Sequence, residues 1–437
     1  MRWPALLLLP PLLMTAPLQA RRPTGSPRRE RPSVTPLTVV VEHRTDLFAA
    51  PGKRGTYVGT AARGTRLPVM RIARGGRCPL GRWYEVAAGA WMCAAHGRGS
   101  WRLPHATPQP VVRSGRLVPR VAYYARRDGV PIYTSEGDAA SGRHDRLVER
   151  GFSFSVSGWL RVGTRRFLRT RRGELVPRQD MWRYRPSTFS GRPLTGRPPP
   201  RIGCTIQYKH APVHVAPLPG ARRAGRLPHH SWVELLEQQG HGRGRFYRIG
   251  QDRWIAARHV RPVHFSAPPR GVGPRERWVE VLLRHQTLVA YEGHRPVYAT
   301  LVSTGRWEHR TPRGLFRVRT KVTMSTMTSR KGAGELYRVD DVPWIQYFHE
   351  GYALHGTYWH DRFGHPKSHG CINLAPTDAR WLFRWTPPGL RPGWAAREMT
   401  STQPGILVRV RNTVRQQVRY RGPSALDPAT NPTHASR

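Results

Sequence analysis

Interruption by proline and glycine constrains this chain more than any other feature. There are 42 prolines and 43 glycines in 437 residues, and the apolar runs between them are only a few residues long. Short runs rich in β-branched and aromatic residues, bounded by turn formers, have the spacing of strands. Between residues 37 and 97 they fall at 37–41, 65–70 and 83–86; between 118 and 182 at 130–133, 152–156 and 167–170; between 203 and 264 at 213–215, 231–235 and 246–249. Each set closes on a similar phrase: Ala90-Trp91-Met92, Gly173-Glu174-Leu175-Val176 and Arg253-Trp254-Ile255-Ala256. This repetition predicts three small β modules at 37–97, 118–182 and 203–264. After the Pro/Gly linker 267–274 comes a fourth, β-rich unit at 277–411. It begins with a hairpin pattern around Arg284-His285-Gln286-Thr287, and a tight turn at Thr311-Pro312-Arg313-Gly314 leads into a further strand. Its clearest helix start is at 374–383, with Pro376 near the first helical position and Asp378 in the first turn.

The ends of the chain differ from its middle. Met1-Arg2, an apolar run over 5–13 and the small residue Ala20 have the order of a secretory signal, predicted at 1–20. The run is well short of the roughly 20 residues a membrane-spanning helix needs. The mature protein is therefore expected to be exported, to the periplasm or cell envelope. Residues 21–36 are expected to be a disordered linker and 412–437 a disordered basic tail. Lysine and arginine number 73 against 26 acidic residues, a formal charge of +47. Nucleic acid is the first partner such a charge raises, but the basic residues are spread along the chain rather than clustered. Nucleic acid is set aside, and anionic cell-envelope polymers are the expected electrostatic partners of a monomer.

Four cysteines are present, and an exported chain meets an oxidising compartment. Cys78 and Cys93 flank one hairpin pattern; the first expectation is a disulfide, worth on the order of 3 kcal/mol for a loop of about 15 residues. The alternative is a pair of buried thiols. Cys204 follows a Pro-rich linker with no evident partner, which leaves Cys371 as a candidate nucleophile. A thiol with a pKa of about 8.5 supplies little thiolate at neutral pH, so an imidazole must take its proton. His355, sixteen residues upstream, can return to it through a loop. Gly370 allows close backbone approach, and the amides around Gly370 and Cys371 could receive an oxyanion. A competing arrangement is a zinc cluster of His355, His360, His365, His369 and Cys371. Its spacing of five, five and four residues between histidines lacks the usual paired-ligand pattern, so no metal is expected.

Thr311-Pro312-Arg313-Gly314-Leu315-Phe316, His355-Gly356 and Ser368-His369-Gly370-Cys371-Ile372-Asn373 together resemble the L,D-transpeptidase catalytic domain of the YkuD type, over about 277–411. The three upstream modules loosely resemble bacterial SH3-like barrels. The fold class this implies is mainly β: a β-rich catalytic domain with a short helix, preceded by about three SH3-like β-barrel modules. The resemblance makes Cys371 the nucleophile and His355 its base, needs no cofactor, and lets the Gly356 backbone carbonyl orient the imidazole. It places Ser368, His369, Gly370 and Asn373 around the substrate and oxyanion. Many relatives carry Arg in place of Asn373, so Arg362 is a candidate for holding the substrate's carboxylate. The implied reaction forms 3-to-3 cross-links between diaminopimelate residues of peptidoglycan stem peptides. Capture by water would make an L,D-carboxypeptidase, and capture by another amine would attach a protein to the wall. A wall-binding protein without chemistry is the remaining alternative.

Overall fold

The computed structural model describes residues 36–422 except 53–54, 107, 197–200, 208 and 329–337. The expected signal, almost all of the linker before the first module, and the tail beyond 422 lie outside the described residues.

Residues 277–411 build two sheets that share one core. The predicted hairpin pairs Arg277–Leu282 with Thr287–Glu292, in the register Trp278 to Tyr291 through Leu282 to Thr287. The strand order of the first sheet is Arg192–Pro193, Arg295–Leu301, Thr287–Glu292, Arg277–Leu282, Leu407–Arg411, Gly314–Arg317. Leu407–Arg411 runs parallel to Arg277–Leu282, which sets Glu280 opposite Arg409. Glu280 is fully buried and accepts from Arg409 Nε at 2.8 Å and Arg411 Nε at 2.7 Å, so the buried charge is paired.

Val279, Val281 and Leu288 of this sheet pack with Phe348, Leu354 and Ile372 of the second and with Leu382 and Phe383 of the helix Pro376–Trp385. Pro occupies the first turn of that helix, where a missing N–H costs nothing. Its C-terminal carbonyls are held by a buried lysine: Lys321 Nζ donates to Phe383 O and Thr386 O, both at 2.7 Å. Burial lowers the Lys321 pKa to about 7. In the first turn, buried Asp378 accepts from Gly191 N at 2.7 Å and Tyr298 O–H at 2.8 Å, fastening the segment before residue 197 to the helix.

The upstream segments depart from expectation. Among the described residues no sheet is closed into a barrel, which overturns the SH3-like β-barrel modules. A barrel requires its end strands to pair with each other, and here they pair elsewhere or stay open. The first segment is divided: Thr38–Val41 joins a three-stranded sheet with Arg66–Pro68 and Gly97–Ser100. Its Tyr57–Ala61 strand pairs with Trp394–Glu398, so the second sheet continues to Arg71–Arg74 and reaches ten strands. A disulfide joins Cys78 to Cys93 across this end, with Cα atoms 5.4 Å apart. The second segment is an open five-stranded sheet whose edges are Leu175–Pro177 and Met181–Arg183, beside a two-stranded pair. The third contains a three-stranded and a five-stranded sheet.

All three segments pack against the fourth. The second meets it through Val118 and Ala122, which lie in one buried cluster with Tyr358. In the third, Cys204 and Ile206 pack with Leu301, Phe363 and Ala375. Beyond 411, where the disordered tail was expected to start, the chain continues along an edge: Leu315 N donates to Arg419 O at 2.9 Å and Arg421 N to Leu315 O at 2.8 Å.

Candidate active site

The Tyr352–Gly356 strand runs parallel to Ile372–Leu374, pairing Leu354 with Ile372, His355 with Asn373 and Gly356 with Leu374. Paired residues share a face, and the side-chain period along a strand is two. Cys371, two residues before Asn373, is therefore directed to the face that carries His355. Packing agrees with that parity. Cys371 lies in one cluster with Ala353, Tyr347 and Trp359, and the His355 ring stacks on Trp359 with centroids 5.7 Å apart.

The two groups sit in different surroundings. His355 is 2% exposed. Its Nδ1 lies 3.2 Å from Gly356 O; a carbonyl only accepts, so the proton is on Nδ1 and Nε2 carries the lone pair. Burial lowers the His355 pKa to about 4, partly opposed by that bond, and the ring is neutral at pH 7. Cys371 is half-buried, and its Sγ lies 3.8 Å from Gly351 O.

The turn before Cys371 is fixed by hydroxyls. Ser368 Oγ accepts from Gly370 N at 3.1 Å and donates to Cys371 O at 2.6 Å. The Gly370 N–H is thereby bonded to Ser368. Thr311 Oγ1 donates to Gly370 O at 2.8 Å and accepts from Gly305 N at 2.9 Å. The sequence marks Thr311 by its place in the Thr-Pro-Arg-Gly phrase, but not the carbonyl it holds. Gly370 has φ +112°, and a Cβ there would run into Tyr352 Cε1, so a side chain is disfavoured on two grounds.

Asn373 Nδ2 contacts His360 Nε2 at 3.0 Å, and its Oδ1 is buried with no hydrogen-bond partner among the described residues. Burial, then the charge of Lys367, lowers the His360 pKa to about 3. His369 turns elsewhere, with Nε2 3.1 Å from Arg306 Nη2 and its ring 4.7 Å from His309. Arg306 borders a basic cavity of about 810 Å³ together with Arg310, Thr311, Arg313, Arg419 and Arg421. His365 Nε2 lies 3.3 Å from Ile206 O. Among the described residues, the five His and Cys side chains weighed as a zinc cluster do not gather around one point. Arg362 borders another cavity, with His229 and Asp361.

Residues 276–394, roughly a quarter of the chain, match the family model of the YkuD L,D-transpeptidase catalytic domain. No curated protein matches the chain. Among solved structures, an L,D-transpeptidase from Xylanimonas cellulosilytica is 27% identical, covering 33% of this chain and 63% of that one, with a TM-score of 0.23. One from Stackebrandtia nassauensis is 27% identical over 34% of this chain and 58% of that one, with a TM-score of 0.23. The catalytic domain of an Enterococcus faecium L,D-transpeptidase is 23% identical over 31% of this chain and 98% of that one, with a TM-score of 0.25. The chain thus spans less than two thirds of the first two. The similarity to the YkuD-type L,D-transpeptidase catalytic domain is thus confined to residues 276–394.

Proposed function

We propose that this protein is an exported peptidoglycan L,D-transpeptidase that forms 3-to-3 cross-links. The observation that carries the proposal is the parallel register that directs Cys371 and His355 to one face beside Trp359. His355 Nε2 takes the Cys371 thiol proton, and the resulting thiolate attacks the carbonyl of the L-centre of diaminopimelate in a stem tetrapeptide. The bond to D-Ala breaks, His355 Nε2 delivers a proton to the departing amine, and a thioester forms. A side-chain amine of a second stem then attacks the thioester. Its proton passes to His355, the C–S bond breaks, and the thiolate returns.

Electrostatics supports a wall location, since a charge of +47 favours adhesion to anionic envelope polymers. In this reading Asn373, paired with His355 in the register, helps shape the substrate pocket. The test is muropeptide analysis after incubating the full chain with tetrapeptide-rich sacculi. Cross-linked dimers are expected; tripeptides alone would assign the second half-reaction to water, and unchanged sacculi would sink the proposal.

A further inference from the structure

A second polar cluster lies where the third upstream segment meets the catalytic domain. His229, His230 and Asp361 bring one ligand atom each within 4.8 Å of one another. His229 Nδ1 is 3.7 Å from Asp361 Oδ2, and His230 Nδ1 is 3.6 Å from Asp361 Oδ1. These distances are too long for hydrogen bonds. They suit ligands that share an ion at about 2.0–2.2 Å.

The second nitrogen of His230 decides what faces the carboxylate. Nε2 lies 3.4 Å from Phe363 O, which can only accept, so the proton belongs on Nε2. Nδ1 then turns a lone pair toward Asp361 Oδ1, an atom that is itself buried and makes no hydrogen bond among the described residues. Two lone pairs face each other without a proton between them. A cation between them converts that repulsion into coordination. A ring N–H bonded to a carbonyl is also how metal-ligating histidines are oriented.

The backbone contributes to the same arrangement. His230 has φ +61°. Neighbouring residues of an extended chain point to opposite sides. The left-handed turn instead stacks the His229 and His230 rings, with centroids 3.5 Å apart. Buried Thr205 pins the turn: its Oγ1 donates to Pro228 O at 2.7 Å and accepts from Ser231 N at 2.8 Å. Outliers of this kind are held only where the surroundings enforce them. His229 and Asp361 border a cavity of about 420 Å³ together with Gln207, Arg362 and His365. Arg362 disfavours ions held by charge alone. Two imidazoles and one carboxylate select a borderline divalent metal over calcium or magnesium, which demand oxygen ligands.

We propose that His229, His230 and Asp361 bind one zinc-class divalent ion, with water in the open position. The ion would clamp the His229-His230 turn to the segment that follows His360, the residue in contact with Asn373. The proposal is independent of the transpeptidase reaction. It is tested on the untagged, metal-stripped full chain by titrating Zn²⁺ against a chromophoric chelator and recording Co²⁺ visible spectra. One equivalent of zinc and intense bands of four-coordinate Co²⁺ are expected. Asp361→Asn and His230→Ala should each weaken zinc about a hundredfold, with near-UV circular dichroism reporting on folding. Cys371→Ala should bind as the parent does. If His230→Ala does not fold, near-isosteric Asp361→Asn carries the test. The proposal is overturned if the parent takes up no stoichiometric zinc, if Asp361→Asn binds as tightly as the parent, or if Cys371→Ala loses the metal.

Discussion

Two cysteines stand outside the disulfide, and their surroundings are opposite. Cys204 lies inside the Ile202–Thr205 strand, fully buried with Phe189, Leu301 and Phe363, and burial raises its thiol pKa well above the ordinary value. Cys371 stands just before a strand, after a glycine at φ +112°, half-buried on the face that carries a neutral imidazole. Desolvation makes the first a small hydrophobic core residue, since a charged sulfur there would be uncompensated. The second has solvent access and shares its face with an imidazole. Position relative to a strand end, more than residue type, separates chemistry from packing.

The sharpest break between the two is covalent. If the proposed thiolate chemistry holds, incubating the parent with a carbapenem should give a covalent adduct by mass spectrometry, which Cys371→Ala should abolish and Cys204→Ala should keep; an adduct surviving the first substitution would remove Cys371 from the mechanism. Next in size, His355→Ala should slow adduct formation by about 10²- to 10⁴-fold, the range ascribed to general acid–base help. An unchanged rate would mean that the shared face is only structural.

A pH series sharpens the contrast at His355. Its folded pKa of about 4 lies below the ordinary value of 6.5, so the unfolded chain binds the proton more readily. The stability this confers is fully present above about pH 6.5 and is lost as pH falls toward 4, ~3 kcal/mol for a shift of that size. Urea melts should show a shallower acid loss for His355→Gln than for the parent; parallel curves would contradict the buried neutral ring. Gly370→Ala meets both a disfavoured φ and Tyr352, and should cost roughly 1–3 kcal/mol of stability along with slower acylation. Smallest of all, Cys204→Ala should cost about 1 kcal/mol by opening a small cavity. It should leave the acylation rate unchanged.

Local features were legible in the sequence because few residues carry them. The Arg277–Leu282 and Thr287–Glu292 hairpin, the strand after Thr311-Pro312 and the Pro376 helix start all follow from turn chemistry and periodicity within about ten residues. The Ser-His-Gly-Cys phrase likewise marked the candidate nucleophile, as a glycine and a hydroxyl shape one tight turn. Thr311 as the partner of the Gly370 carbonyl, and His369 turned toward Arg306, were not legible, because each depends on a chain segment about sixty residues away.

The barrels failed for the same reason. Recurring short strands specify that edges exist, not which edge each one meets. Tyr57–Ala61 pairs with Trp394–Glu398, more than three hundred residues away, because an open edge there satisfies its backbone and packs Trp394 into the first segment's core. By itself the sequence determined the short strands, the helix start and the residue types of the site. Tertiary structure decided their partners: the register that directs Cys371 to the His355 face, the ten-stranded sheet, and the meeting of His229 and His230 with Asp361. Propensity is settled among neighbours along the chain, whereas pairing is settled by which distant surfaces bury apolar area and satisfy backbone groups together.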